Sequence, residues 1–121
     1  MVRKVSTYLM FTGQAADALA LYTHIFPQST SCVRPGPVYM ADLRLGGHDL
    51  LLVDSPNVHD FTFTPSISLF VEFNDAAELD GAYEKLSDGG QVLMPVDNYG
   101  FSQRFAWVAD KFGVNWQLNL P

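Results

Sequence analysis

The chain has 121 residues, 48% of them hydrophobic, a single cysteine, and a formal net charge of -6 from 13 acidic against seven basic side chains. That length suits one compact domain with its own core, one cysteine excludes an internal disulfide framework and fits a reducing compartment, and the acidic balance argues against a phosphate-backbone partner. No apolar run approaches the roughly 20 residues of a bilayer span, and Arg3-Lys4 lead into mixed sequence rather than an apolar signal segment, so a soluble, cytoplasmic protein without nucleic-acid or membrane partners is expected.

In chain order, Val5 to Phe11 reads as a strand. Thr12 or Gly13 opens a helix whose Ala15, Ala18, Leu19, Tyr22 and Phe26 recur near helical spacing. Pro27 stops it, and His24 stands near its C-terminus, where the helix dipole favours an imidazolium. Ser31 to Arg34 is a weak strand, in which Cys32 is expected to be buried or half-buried rather than a nucleophile. Pro35-Gly36-Pro37 is a turn or loop. Val38 to Leu45 and His48 to Asp54 are strands joined by Gly46-Gly47, a pair suited to a two-residue hairpin that needs positive φ. Asp42 and Arg44 share one parity, which suggests a solvated or cross-strand ion-paired face. Tyr8 and Met10 have the parity opposite to Thr7 and are expected to pack under the helices. A polar loop holding Pro56, Asn57 and His59-Asp60 then leads to Pro65.

The order of elements repeats. Ser66 to Phe73 is a strand, Asn74 or Asp75 caps a helix with Glu78 as capping-box partner, and Leu79, Ala82, Tyr83 and Leu86 form its apolar stripe. Gly89-Gly90 end it. Three β segments follow, Gln91 to Met94, Phe101 to Ala109, and Val114 to Leu120. Asp110 and Gly113 supply the turn before the last of these, since Asp bonds its own backbone ahead and Gly tolerates positive φ. The fold class read from this order is α+β, two tandem βαβββ modules of about residues 1–60 and 61–121 within one domain.

The final strand carries the clearest functional signal. Val114, Trp116 and Leu118 point one way, and Asn115, Gln117 and Asn119 the other, so its sheet has one apolar and one amide-lined face. Ser66 and Ser68 alternate with Ile67, Leu69 and Val71 in the same manner. Two readings are open: the polar faces meet water, as in many antiparallel sheets, or they line a small-molecule cleft.

Several segments together resemble the PhnB-like branch of the glyoxalase, bleomycin-resistance and extradiol-dioxygenase superfamily, the vicinal oxygen chelate fold. They are the Phe-Thr-Gly-Gln-Ala-Ala-Asp-Ala-Leu-Ala-Leu-Tyr helix with its Ile-Phe-Pro end, Thr64 to Val71, and Trp107 to Gln117. This branch is also described as 3-demethylubiquinone-9 3-methyltransferase-like, but the chain has no Gly-x-Gly-x-x-Gly loop after a strand to hold a methyl-donor cofactor. The resemblance implies curved sheets around a cleft, helices on the outer faces, and a homodimer. In metal-dependent members it implies four ligands, whose positions fall here on Thr7, Ser66, Gln117 and an unfixed residue of His48 to Asp54. Two hydroxyls and an amide are poor ligands for Zn²⁺, Ni²⁺ or Fe²⁺, so no metal and no cofactor are expected.

The candidate ligand-binding residues are Thr7, His48, Ser66, Ser68, Arg104, Trp107, Asn115 and Gln117. Arg104 offers a guanidinium to an anionic or oxygen-rich ligand, or pairs with a surface acid. Phe101, Phe105 and Trp107 supply apolar contact, with the face of each left open. No nucleophile-base-acid arrangement emerges. The leading expectation is a metal-free small-molecule-binding protein of the glyoxalase and bleomycin-resistance type. The alternatives are a lyase, isomerase or dioxygenase of the same superfamily, with Arg104 and His48 as acid-base groups, and a dimeric structural module whose cleft is filled by its own side chains.

Overall fold

The computed structural model describes residues 1–56 and 59–121; Asn57, read as part of the polar loop, lies outside the described residues. The chain divides into two compact units, Met1–Asp60 and Phe61–Pro121. Each is a βαβββ module with one helix and one four-stranded mixed sheet, in agreement with the α+β class read from the sequence. No helix among the described residues is long and apolar enough to cross a membrane.

The first unit contains β1 (Thr7–Phe11), α1 (Ala15–Ile25), β2 (Thr30–Arg34), β3 (Met40–Leu45) and β4 (His48–Asp54). Its sheet runs β1-β4-β3-β2, with β1 parallel to β4 and the other pairs antiparallel. Gly46 and Gly47 turn the β3–β4 hairpin at φ 56° and 83°, the left-handed values their lack of a Cβ permits. Register sets Leu9 and Ala41 beside Leu52, and Leu43 beside Leu50. All five side chains are buried, as are Ala15, Ala18, Leu19 and Tyr22 of α1, which packs on β3 and β4. Each fully buried Leu is worth about 1.5–3 kcal/mol. The ion pairs on the other face, Arg34 with Asp42 at 2.7 Å and Arg44 with Asp49 at 3.1 Å, are exposed and individually weak. Burial on the α1 side therefore holds this unit together, and the ion-paired face expected of Asp42 and Arg44 is present.

Three expectations for this unit are corrected. Tyr8 and Met10 do not pack under the helix; Leu9 and Phe11 do, and Tyr8 is 52% exposed. Cys32 is exposed, because β2 is an edge strand paired only with β3 and lies beyond the packing of α1. The helix begins at Ala15 rather than Thr12 or Gly13, and its N-terminus is capped from a distance. The Asp54 carboxylate, at the end of β4, accepts from Gly13 N at 3.0 Å and Ala15 N at 2.9 Å.

The second unit contains β5 (Leu69–Glu72), α2 (Ala76–Ser87), β6 (Gln91–Asp97), β7 (Arg104–Ala109) and β8 (Asn115–Leu120), in sheet order β5-β8-β7-β6. Asp75 is the N-cap of α2 and accepts from Glu78 N at 2.8 Å. Leu79, Ala82 and Leu86 of α2 are buried, as are Ala106, Val108, Trp116 and Leu118 on the sheet face it covers. Here β5 is shorter than expected, because residues 65–67 turn, with Ile67 N bonded to Thr64 O at 3.2 Å. β6 is longer. It passes through Pro95 as an irregular edge strand whose register shifts between Met94 and Asp97, the setting in which a sheet tolerates proline.

Candidate functional site

The β7–β8 hairpin builds the site. Asp110 opens its turn and is buried at 3% exposure. Its Oδ1 accepts from Phe112 N at 2.9 Å and Val114 N at 3.1 Å, and its Oδ2 accepts from the Trp116 indole at 2.9 Å. A buried carboxylate with three donors is stable where a lone one is not. It fixes Trp116 on the α2 side, and the period-two pleat then sends Asn115, Gln117 and Asn119 to the opposite face.

On that opposite face, register arranges the side chains in rows across the four strands. One row is Phe70, Gln117, Trp107 and Met94; the next is Glu72, Asn119, Phe105 and Asp97. Cross-strand neighbours of this kind lie side by side on one face. The amides are tied to these neighbours. Trp107 Nε1 donates to Asn115 Oδ1 at 3.0 Å, and Asn115 Nδ2 donates to Gly113 O at 3.1 Å. Gln117 Nε2 lies 3.2 Å from Ser68 Oγ, and Asn119 Nδ2 donates to Glu72 Oε2 at 3.3 Å. Asn115 and Asn119 are buried, Trp107 and Gln117 half-buried, and Phe70 is 58% exposed. Phe105 is buried beneath Phe101, with ring centroids 5.0 Å apart at 71°, and Tyr99 stacks on Phe101 at 6.1 Å. The result is a polar, amide-bonded strip set among aromatic side chains.

Of the residues singled out in the sequence, the structure brings Ser68, Trp107, Asn115 and Gln117 together on this face. Ser66 sits apart in the turn, its hydroxyl 3.1 Å from Thr64 Oγ1. Arg104 packs toward α2, where its guanidinium donates to both Asp80 oxygens at 2.7 and 2.9 Å. That pairing raises its pKa further and fixes its charge. Thr7 and His48 meet in the first unit, sharing a 2.8 Å hydrogen bond between Oγ1 and Nε2. They follow the parity of Leu9 and Leu50, so they lie at the margin of the α1-covered face. Phe70, Glu72 and Asn119 were absent from the candidate residues. Asn119 was legible from its parity with Gln117, whereas Glu72 joins only through the parallel pairing of β5 with β8.

The three donors that the resemblance places, two hydroxyls and an amide, are poor ligands for a transition metal. Among the described residues, no three His, Cys, Asp or Glu side chains gather where they would hold one. Of the four positions implied by the resemblance, one falls within His48–Asp54 without a fixed residue; of the other three, Thr7 is bonded to His48, Ser66 to Thr64 and Gln117 to Ser68, each a neutral hydroxyl or amide.

The chain is 37% identical to a solved putative 3-demethylubiquinone-9 3-methyltransferase, PhnB protein, from Bacillus cereus, covering 98% of this chain and 100% of that one at a TM-score of 0.91. It is 22% identical to protein YjdN of Escherichia coli K12, over 96% of this chain and 94% of the relative. The fold extends to a glyoxylase/bleomycin resistance protein/dioxygenase domain from Frankia sp. EAN1pec, with a TM-score of 0.74, 16% identity, and 99% and 98% coverage of the two chains. The model of the family described as 3-demethylubiquinone-9 3-methyltransferase matches residues 3–119. The chain therefore belongs to that family, as the PhnB protein's 37% identity also indicates, and shares its fold with the glyoxylase/bleomycin resistance protein/dioxygenase domain.

Proposed function

We propose that this protein is a metal-free small-molecule-binding protein of the glyoxalase and bleomycin-resistance type, and that the amide-lined face of the second unit contacts the ligand. The observation carrying this reading is the Asn115, Gln117 and Asn119 strip beside Trp107 and Phe105, a few fixed polar groups within an apolar and aromatic surface. The polar groups are held by their neighbours, so a ligand meets them without a large ordering cost. The protein acts in this reading as a cytoplasmic homodimer, and exposed Val33, Phe61, Ile67 and Phe101 provide apolar area for a partner.

The family's methyltransferase description is not adopted for the activity. Both strand-to-helix turns are filled by the chain's own carboxylates, Asp54 at the Gly13 and Ala15 amides and Asp75 at the Glu78 amide. These turns do not fit a nucleotide-type methyl donor, which needs that position open. The Thr7–His48 pair favours one second reading, a superfamily enzyme using His48 as a base, because a hydroxyl within 2.8 Å of an imidazole has the geometry of proton transfer.

Thermal-shift screening of tag-free protein, with divalent metals in one arm and aromatic small molecules under chelation in the other, tests the proposal. Stabilisation by an organic ligand in chelator supports it. Stabilisation only by a metal refutes it, and turnover lost in His48→Ala with the fold intact installs the enzyme.

A further inference from the structure

Resting on the reading of the amide face as a ligand site, we propose that its ligand is an aromatic ammonium, an amine attached to an aryl group, and not an anion. Hydrogen-bond direction and charge both lead there. Asn115 uses one of its two Nδ2 hydrogens on Gly113 O, and its Oδ1 accepts from Trp107. Asn119 donates to Glu72, which leaves its Oδ1 without a donor among the described residues. The row through Asn119 begins at Glu72 and ends at Asp97, two exposed carboxylates with Asn119 and Phe105 between them. Three interstrand steps of about 4.8 Å make that row roughly 14 Å long, long enough to seat a small bicyclic amine beside one of the two carboxylates. An ammonium beside Glu72 meets its carboxylate and Asn119 Oδ1, and its aryl part reaches Phe70 and Trp107 in the adjacent row.

No ion pair among the described residues joins a cation of this unit to Glu72 or Asp97, and of its three cations only Arg104 acts on Asp97, from a distance. Residues 61–121 carry eight Asp and Glu against three Lys and Arg. Arg104 is held by Asp80 on the α2 side, Lys111 lies over the Phe112 ring in the β7–β8 turn, and Lys85 is on α2. A carboxylate or phosphonate ligand placed beside Glu72 or Asp97 meets negative charge, which the remaining amide N–H donors of the strip do not neutralise. An ammonium gains charge-assisted hydrogen bonds and the faces of nearby aromatic rings.

The test uses three ligands that share a naphthylmethyl group and differ only in an ammonium, a hydroxyl or a carboxylate. Binding to the full chain is followed by the Trp107 indole N–H resonance, identified with Trp107→Phe. The ammonium is expected to bind about tenfold or more tightly than the carboxylate, in the range of a hydrogen bond to a charged group. Glu72→Gln, at an exposed position, is expected to weaken the ammonium several-fold and leave the alcohol unchanged. Equal or tighter binding of the carboxylate, with Trp107 still responding, overturns the charge assignment and leaves the ligand site standing. Silence of Trp107 toward all three removes the ligand site and this inference with it.

Discussion

Trp107 and Asn115 are joined across one hairpin by a 3.0 Å bond from indole nitrogen to amide oxygen, on the face opposite α2. On the other face of the same hairpin, Trp116 donates to Asp110 at 2.9 Å. The two indoles thus pin the two faces. Trp116 fixes which side is core, and Trp107 holds the first amide of the polar strip in one orientation.

Asp110 is the keystone of that hairpin. Replacing it with Ala removes the acceptor of two backbone amides and leaves a fully buried indole N–H without this partner, so a loss of about 3 kcal/mol is expected in urea unfolding. Asp110→Asn keeps one acceptor oxygen and is expected to cost less. A smaller loss for Ala than for Asn contradicts the assignment.

Two glycines separate packing from propensity. A Cβ built on Gly90 falls 2.1 Å from Ala109 O and 2.9 Å from Asp110 C, both backbone, so Gly90→Ala forces β6 away from β7 and destabilises the unit by about 2 kcal/mol or more. Gly81, inside α2, has nothing within 4 Å of the same position. Gly81→Ala is expected to stabilise by about 0.5–1 kcal/mol through helix propensity. Thermal melts of the two variants should move in opposite directions.

Asp54 anchors α1 to β4. Asp54→Ala is expected to cost about 1 kcal/mol, the usual value of a helix cap. Hydrogen exchange at the Gly13 and Ala15 amides should accelerate more than exchange in β3. Unchanged exchange at those two amides refutes the cap.

Acid sensitivity follows from the first unit's ion pairs. Hydrogen bonding by Arg34 holds the Asp42 carboxyl below its ordinary pKa, and Lys4 with Arg44 does the same for Asp49. A depressed folded-state pKa contributes stability that is present above the unfolded value, near 4, and is lost as pH falls through the folded value. Stability should therefore decline from about pH 5 downward, less steeply in Asp42→Asn and in high salt. An identical acid limb in the variant shows that the pair contributes nothing there.

How legible the fold was in the sequence depended on how unambiguous each local pattern was. β4 was bounded correctly from the Gly46-Gly47 turn to Asp54, and β8 showed its two faces because amides and apolar residues alternate strictly. The N-cap of α2 was narrowed to Asn74 or Asp75 by Glu78, and the structure selects Asp75. β1 was not, since Tyr8, Leu9, Met10 and Phe11 are all apolar and parity alone does not say which pair is core. Arg104 found its acid 24 residues away on α2, a pairing that only the packed structure specifies. In the same way, the partner of the Trp116 indole and the joining of Glu72 to Asn119 depend on turn geometry and strand order rather than on local sequence.

Metal-free binding of an organic molecule at the amide face is tested most directly by a side-chain NMR titration of chelator-treated protein with an aromatic ligand library, following Asn115, Gln117, Asn119 and Trp107. Saturable shifts are expected at these four groups, lost in Gln117→Ala while the fold is retained. Shifts confined to Thr7 and His48, or appearing only after a divalent metal is added, contradict it.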